Sequence, residues 1–288
     1  MRSLITRARS SLYWVEQQLE EGGALNWCVT GLEREPAPSL PSEQLQPCNS
    51  DGQWVVVEFS TEGEGRDLVR LRPLPDCIPR SQVERQAQWA SGLQKRTLVK
   101  IWSMLAYIDD ELLKGFLLDV LMDDQLMLAF CRDRASHGYH HNHVGGLLAH
   151  SYEVAVSAAT LCSQHQLGMR TTWVAFIGGL LHDIGKVRMF YNDSNGVSGE
   201  HEAYSFMVLS APLEHLHMKS APLFEALTAC LALSSSRDSD PYQVAGIVRM
   251  CDRLSAEVCN WRKAFERRPS HFWYVKSQHD GRMYKRLN

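Results

Sequence analysis

The chain lacks the marks of several protein classes. Its eight cysteines include no CxxC pair, which argues against a paired-cysteine motif. Several of them lie in apolar helical patterns, where cysteine behaves as a small hydrophobic residue, so we expect reduced thiols. They stand at positions 28, 48, 77, 131, 162, 230, 251 and 259.

Long apolar runs are also missing. The amino terminus, MRSLITRARSSLYW, is basic but has no apolar core of the kind found in a signal peptide. The longest apolar stretch, around Trp173 to Leu181, is far shorter than the roughly 20 residues that a membrane span needs. We therefore expect a cytoplasmic protein with no membrane partner.

Neither internal repeats nor low-complexity tracts are present. The 288 residues suffice for one large domain or two modest ones, and 44% of them are apolar, which permits a sizeable core. The formal net charge of −3 neither demands nor excludes a polyanionic partner. The sequence leaves the oligomeric state open.

Residues 1–81 have the pattern of a small α+β region. Residues 1 to about 21 are predicted to form a helix that ends at two glycines, and residues 34–52 a Pro- and Ser-rich loop. Gln53–Phe59 and Asp67–Leu74 are predicted strands joined by a Gly-rich turn, as in a hairpin.

The rest of the chain is predicted to be mainly α. Apolar residues recur at helical spacing through residues 82–265, which predicts an all-α domain. The predicted helices are Gln86–Tyr107, Glu111–Cys131, His150–Gln166, Thr171–His182, Pro222–Leu233 and Gln243–Phe265. In residues 266–288, two aromatic-rich runs flank an Asp-Gly pair, which predicts a β-hairpin tail.

Histidines and acids converge on the predicted helices. His182 and Asp183 follow an apolar run, so they emerge together at the end of a buried helix. A buried carboxylate needs a partner, and a metal ion is an effective one. His150 lies on the buried side of one helix, and Asp252 lies beside the apolar stripe of another. Mixed imidazole and carboxylate ligands suit Mn²⁺, Fe²⁺, Ni²⁺, Zn²⁺ or Mg²⁺, and the sequence does not choose among them.

Two segments carry a family resemblance. HHNHVGGLLAHSYEVA, followed by GGLLHDIGK and a later helical Asp, resembles the HD-domain metal-dependent phosphohydrolase superfamily over about residues 97–260. The local text looks closest to the HD domains of TraI-type conjugative relaxases and of YhaM-type 3′–5′ exoribonucleases. The resemblance implies an HD-domain helical bundle, with His150, His182, Asp183 and Asp252 as ligands of one divalent ion.

The resemblance also implies roles for neighbouring residues. Asp183 would orient or deprotonate the attacking water, and Lys186 would face a substrate phosphate unless it is simply an exposed lysine at a helix end. His140 and His141 would line the site or hold the loop before the His150 helix. Ser235 and Ser236 stand where the exoribonuclease branch has histidines, which leaves a second ion uncertain unless another histidine supplies it. The candidates for that role are His201, His215 and His217.

The carboxyl-terminal segment is basic and aromatic. Residues 262–288 contain eight Lys or Arg against two acids, with aromatic residues interleaved, a composition that suits single-stranded nucleic acid. The alternative is a hairpin whose aromatic rings pack on the helical domain while the charges stay solvated. The candidate nucleic-acid contacts are Arg267, Arg268, Trp273, Lys276, Lys285 and Arg286.

The sequence therefore predicts a metal-dependent phosphohydrolase, a phosphodiesterase or nuclease acting on nucleic acid or nucleotides. A catalytically weak HD-fold module that binds nucleic acid or nucleotide is the alternative from another class. Hydrolysis of a single nucleotide or cyclic nucleotide in a closed pocket is a third interpretation.

Overall fold

The computed structural model describes residues 9–19, 25–32, 40, 52–59, 68–136, 141–189, 201–232, 240–278 and 280–287. The chain divides into two compact units, Met1–Leu128 and Ala129–Asn288. Helices predominate, with one four-stranded sheet in the first unit and a two-stranded hairpin in the second, as the predicted fold class requires. Within the described ranges, every helix is too short or too polar to span a membrane.

An antiparallel sheet forms the first part of the first unit. Its strands are β1 (Arg9–Leu19), β2 (Leu25–Gly31), β3 (Gln53–Phe59) and β4 (Leu68–Pro73), in the order β2-β1-β3-β4. The predicted pairing of β3 with β4 is confirmed, because Val57 pairs with Leu71 in an antiparallel register. Strand β2 was not predicted from the sequence.

The helix predicted over residues 1 to about 21 is wrong over residues 9–19, which form β1. This strand pairs with β2 along one edge and with β3 along the other. Its Tyr13 and Val15 point to the same face, two residues apart, and pack with Val55, Val57 and Phe59. Pairing on both edges and burial of consecutive side chains on both faces, from Leu12 to Val15, outweigh the local helical tendency.

Four helices follow the sheet: α1 (Arg80–Trp89), α2 (Gly92–Met104), α3 (Glu111–Met122) and α4 (Asp124–Arg132). Helices therefore begin near the predicted change of pattern at residue 82, but each of the two long helices predicted here is divided into two. Asp123 separates α3 from α4, because its Oδ1 accepts a hydrogen bond from the backbone N–H of Leu126 at 3.0 Å. A carboxylate in this position caps a new helix instead of continuing the old one.

The second unit is built around one almost fully buried helix. Its helices are α5 (Gly146–Gln164), α6 (Met169–Leu181), α7 (Lys186–Met189), α8 (His201–Val208), α9 (Ser210–Lys219), α10 (Ala221–Leu231) and α11 (Ala245–Phe265). Every residue of α6 from Thr172 to Leu181 is buried, and α6 packs against α5, α10 and α11. A Cβ on Gly179 would lie 2.9 Å from Cα of Ala155, so this glycine permits the close approach of α5 and α6.

The predicted helices of this unit are confirmed as α5, α6, α10 and α11, with ends that differ by a few residues. The predicted tail hairpin is also present, as β5 (Tyr274–Lys276) and β6 (Met283–Lys285). Its turn includes Gly281 at φ 69°, a backbone conformation that favours glycine.

Candidate metal centre

Three elements bring the four predicted ligands together. His150 lies in the second turn of α5, and His182 and Asp183 lie in the turn that follows α6. Asp252 lies in the second turn of α11. His150, His182 and Asp183 are buried, whereas the side chain of Asp252 is 34% exposed. The chain thus assembles two imidazoles and two carboxylates at the junction of its central helices.

The four side chains are close enough to share one ion. One potential ligand atom from each lies within 4.8 Å of all the others. Nε2 of His150 is 3.1 Å from Oδ1 of Asp252 and 3.5 Å from Oδ2 of Asp183. Nε2 of His182 is 3.4 Å and 3.6 Å from the same two oxygens, respectively Oδ2 of Asp183 and Oδ1 of Asp252. Ligand atoms bound at about 2.1 Å from one ion lie roughly 3–4 Å from each other, so the spacing fits.

The orientation of His182 also fits a metal ligand. Its Nδ1 lies 2.8 Å from the backbone carbonyl oxygen of Gly179, which can only accept, so Nδ1 carries a hydrogen and donates. In the neutral imidazole, Nε2 therefore presents its lone pair to the carboxylates. Within the part of the chain that the structure describes, this buried Nε2 has no hydrogen-bond partner. A cation between His182 and the carboxylates would complete its coordination.

A serine hydroxyl orients His150 in the same way. Oγ of Ser255 donates to Oε2 of Glu153 at 3.2 Å, and a carboxylate can only accept. The hydroxyl has one hydrogen, so toward the imidazoles it acts as acceptor. Nδ1 of His150, at 3.1 Å, and Nε2 of His141, at 3.5 Å, are then the donors. Ser255 thereby leaves Nε2 of neutral His150 as the atom that faces the carboxylates.

The electrostatics of the cluster call for a positive charge between its carboxylates. Burial opposes ionisation of Asp183, but the charge of His182 and close contacts with neighbouring imidazoles hold the pKa of this carboxyl well below its usual range. Burial likewise opposes the charge of His182, yet Asp183 and Asp252 outweigh it and raise the pKa of His182 to about 10. The same two carboxylates raise the pKa of His150, also against burial. Either protonated imidazoles or a divalent cation satisfies these carboxylates, and the two compete.

Lys186 and His201 form the accessible edge of the cluster. Nζ of Lys186 lies 2.6 Å from Oδ2 of Asp183, and Nε2 of His201 lies 3.1 Å from Oδ1 of the same carboxylate. Their side chains are 17% and 27% exposed, so they can meet both Asp183 and solvent. Nδ1 of His201 is 3.3 Å from Oε2 of Glu202, which places this imidazole between two carboxylates. The exposed side of the site is therefore bounded by a cation, an imidazole and Asp252.

Gly185 lets the turn after α6 reach helix α8. A Cβ at this position would overlap the carbonyl oxygen of His201 and the backbone nitrogen of Ser205. The N–H of Gly185 donates to Oγ of Ser205 at 3.0 Å, and that hydroxyl donates to the carbonyl oxygen of His201 at 3.1 Å. This glycine therefore fixes the separation between Asp183 and His201.

The remaining predicted histidines have different surroundings. The centre of the His141 ring lies 5.2 Å from that of His150, so His141 borders the cluster. The backbone of His141 has a positive φ of 48°. His215 and His217 are exposed on α9, and the ring of His217 contacts Phe224. Among the described residues, the group that could hold a metal ion includes neither of them. His140, Ser235 and Ser236 lie outside the described residues.

The predicted nucleic-acid contacts lie beyond the metal cluster, at the far end of α11 and on the hairpin. Arg267 and Arg268 are exposed in the turn after α11, and Lys276 and Lys285 are exposed on β5 and β6. The side chain of Arg286 is occupied: Nε donates to the carbonyl oxygen of Phe272, and the guanidinium lies over the ring of Phe265. Trp273 is 51% exposed.

Sequence reasoning missed three contributors to the site. Ser255 and Glu153 orient His150, and Glu202 contacts His201. Ser255 stands three residues after Asp252, so it lies on nearly the same side of α11. This spacing could have indicated that Ser255 lies near the site. Its hydrogen-bond partners follow only from the packing of α5 against α11.

Comparison with known proteins gives one match. Residues 124–228 match the model of the HDOD domain, a relative of the HD domain, over a little over a third of the chain. No curated protein and no solved structure matches. The matched segment includes His150, His182 and Asp183 and ends before Asp252. Most of this HDOD-like segment lies in the second unit, and Asp252, outside the segment, completes a cluster that could hold a metal ion.

Proposed function

We propose that this protein is a metal-dependent phosphohydrolase. The observation that carries the proposal is the group formed by His150, His182, Asp183 and Asp252, in which both imidazoles are fixed with Nε2 toward two carboxylates. A divalent ion held by these four residues would lower the pKa of bound water and offset charge on a phosphate. Mn²⁺, Fe²⁺, Ni²⁺, Zn²⁺ and Mg²⁺ are all compatible with such a donor set.

The residues of the chain have separate roles in this proposal. Asp183 accepts a hydrogen bond from the attacking water and orients it. Lys186 provides a compact positive charge at the accessible edge, where a phosphate oxygen would approach. His201, held between Asp183 and Glu202 on the same edge, positions the Asp183 carboxylate. One ion site is proposed, and His201 is the histidine available to a second ion.

A phosphodiester of nucleic acid or of a nucleotide is the proposed substrate. The 34% exposure of the Asp252 side chain supports a site that is open at one side, since a fully closed pocket would bury this ligand. The motifs HHNHVGGLLAH and GGLLHDIGK, which resemble those of HD-type nucleases, point to the same class of substrate. We therefore place a phosphodiesterase or nuclease ahead of a hydrolase for single nucleotides.

The test compares metal content and turnover in matched histidine variants. The purified chain is loaded with each of the five ions and analysed for bound metal. It is then incubated with labelled single-stranded DNA, RNA and a nucleotide panel. His182→Ala removes one ligand and is expected to lose both stoichiometric metal and turnover. His217→Ala removes an exposed histidine outside the group and should keep both.

Three outcomes decide the proposal. Full metal occupancy in His182→Ala would refute the ligand assignment. Stoichiometric metal in the parent chain without turnover of any substrate would refute the hydrolase and favour the catalytically weak binding module. Turnover of single nucleotides alone would replace the nuclease by the third interpretation.

A further inference from the structure

The positive charge of this protein is concentrated near its carboxyl terminus. The chain has 30 basic and 33 acidic residues, of which residues 262–288 hold eight and two. The remaining 261 residues therefore carry 22 basic and 31 acidic groups, a balance of opposite sign. A segment with eight basic and two acidic groups favours a polyanion as its partner.

The hairpin in this segment has one exposed face. Val275 is buried, whereas Tyr274 and Lys276 on either side of it are exposed, as strand alternation requires. Across the hairpin, Tyr274 pairs with Lys285 and Lys276 pairs with Met283, and these partners are also exposed. A phenol ring and two ammonium groups thus lie side by side on one surface, which we call the hairpin face (Tyr274, Lys276, Met283 and Lys285).

Trp273 extends the aromatic part of this surface. Its ring lies 4.8 Å from that of Tyr274, and the two side chains are 51% and 50% exposed. Nζ of Lys285 lies 5.6 Å from the centre of the Trp273 ring, within the range of a cation–π contact. The rings are therefore not packed into the helical domain, which was the alternative arrangement for a hairpin of this composition.

Two anchors hold the hairpin on the last turns of α11. Nε1 of Trp261 donates to the carbonyl oxygen of Lys285 at 2.8 Å. The guanidinium of Arg286 stacks 4.7 Å from the centre of the Phe265 ring and donates to the carbonyl oxygen of Phe272. Arg286 is thus a structural residue, and the surface that it supports is ordered before any ligand arrives, which reduces the entropic cost of binding.

The hairpin face is separate from the metal centre. Trp261, an anchor of the hairpin, follows Asp252 by nine residues of α11. At 1.5 Å and 100° per residue, it is about 14 Å further along the axis and on the opposite side of the helix. A ligand on the hairpin face therefore does not have to enter the metal centre.

We propose that the hairpin face and Trp273 form a binding site for single-stranded nucleic acid, distinct from the metal centre. Unpaired bases stack on Tyr274 and Trp273, while Lys276 and Lys285 contact phosphates. Single strands are favoured over duplexes because base faces are accessible to the rings only when they are unpaired. They are favoured over anionic lipid because Tyr274 lies directly across the hairpin from Lys285, so a stacked base and its phosphate can be contacted together.

The test measures fluorescence anisotropy of labelled 20-mers of dT and U with the full chain at several salt concentrations. Tyr274→Ala is expected to weaken binding roughly 5- to 150-fold, the range for one stacked base. Lys276→Gln should lower the slope of log Kd against log salt by about 0.7, the share of one phosphate contact. As controls, Met218→Ala and Lys219→Gln change an exposed apolar residue and an exposed lysine on α9 and should bind as the parent does.

Further measurements separate this site from the metal centre. His182→Ala should lose metal and keep oligonucleotide binding, whereas Tyr274→Ala should keep metal. Loss of oligonucleotide binding in His182→Ala would overturn the proposal, because binding would then occur at the metal centre. It would also be overturned by parent-like binding in both hairpin variants, by equal affinity for a 20-base-pair duplex, or by binding to phosphatidylserine vesicles without binding to the 20-mers. None of these outcomes depends on turnover.

Discussion

Ser255 is expected to determine metal affinity although it is not a ligand. Its hydroxyl is the hydrogen-bond acceptor for Nδ1 of His150, and this contact leaves Nε2 of His150 facing Asp183 and Asp252. Ser255→Ala removes the acceptor with almost no change in volume. The substitution therefore tests the orientation of His150 and leaves the four proposed ligands in place.

The magnitude follows from the burial of the three groups that Ser255 contacts. Glu153, with a side chain 39% exposed, and His141, at 14%, can recruit water after the hydroxyl is lost. The side chain of His150 is fully buried, so water cannot replace the hydrogen bond that its Nδ1–H loses. Loss of such a buried hydrogen bond costs about 1–3 kcal/mol. Partners of metal-ligating histidines typically contribute 10- to 100-fold to metal affinity. We expect Ser255→Ala to weaken binding of Mn²⁺ or Zn²⁺ within that range.

Isothermal titration calorimetry with Mn²⁺ and Zn²⁺ measures this loss directly. Ser151→Ala is the matched control, since Ser151 is a buried serine next to His150 that has no hydrogen-bond partner among the described residues. It should bind metal as the parent does. Ser255→Thr keeps the hydroxyl and should recover most of the affinity. Metal affinity of Ser255→Ala within twofold of the parent would refute the proposed orientation of His150.

Three further predictions concern stability and the edge of the site. Gly185→Ala forces α8 away from the turn after α6, so turnover should fall at least tenfold and thermal stability should drop, because the added Cβ overlaps the backbone of His201. The control is Gly115→Ala inside α3, where the added Cβ meets no atom within 4 Å; it should raise the free energy of unfolding by about 0.5–1 kcal/mol. Parent-like turnover of Gly185→Ala would contradict the argument. Burial raises the pKa of Asp133 to about 6, above the roughly 3.9 of an unfolded chain. The neutral carboxyl therefore contributes its full stability below about pH 4, and this contribution is lost as the pH rises from about 4 through about 6. Asp133→Asn should therefore raise the free energy of unfolding by about 1–2 kcal/mol at pH 7, allowing for partial exposure. In urea unfolding, the free energy of the variant should vary less between pH 4 and 6 than that of the parent. An unchanged pH profile would exclude this carboxyl as the cause.

Local sequence predicted secondary structure correctly where the apolar pattern favoured one kind of element. The small and apolar run before His182 was predicted as a buried helix, and it forms α6, with the His182–Asp183 pair at its end. The prediction failed where strand pairing with distant residues decided the structure. Residues 1 to about 21 were predicted as a helix that ends at two glycines, but the pairing of β1 with two neighbouring strands is a non-local property that no short window contains.

The sequence by itself predicted the candidate metal ligands, the helices on or beside which they lie, and the basic, aromatic character of the tail. Tertiary structure alone decided how these parts meet. The close approach of α5, α6 and α11 brings His150, His182, Asp183 and Asp252 within one coordination distance, and it supplies Ser255 and Glu153 to orient His150. In the tail, Arg286 packs on the ring of Phe265 and so holds the hairpin, while Tyr274 and the lysines of the hairpin face stay exposed. Distances and donor–acceptor roles depend on residues about 100 positions apart in the chain, and only packing fixes them.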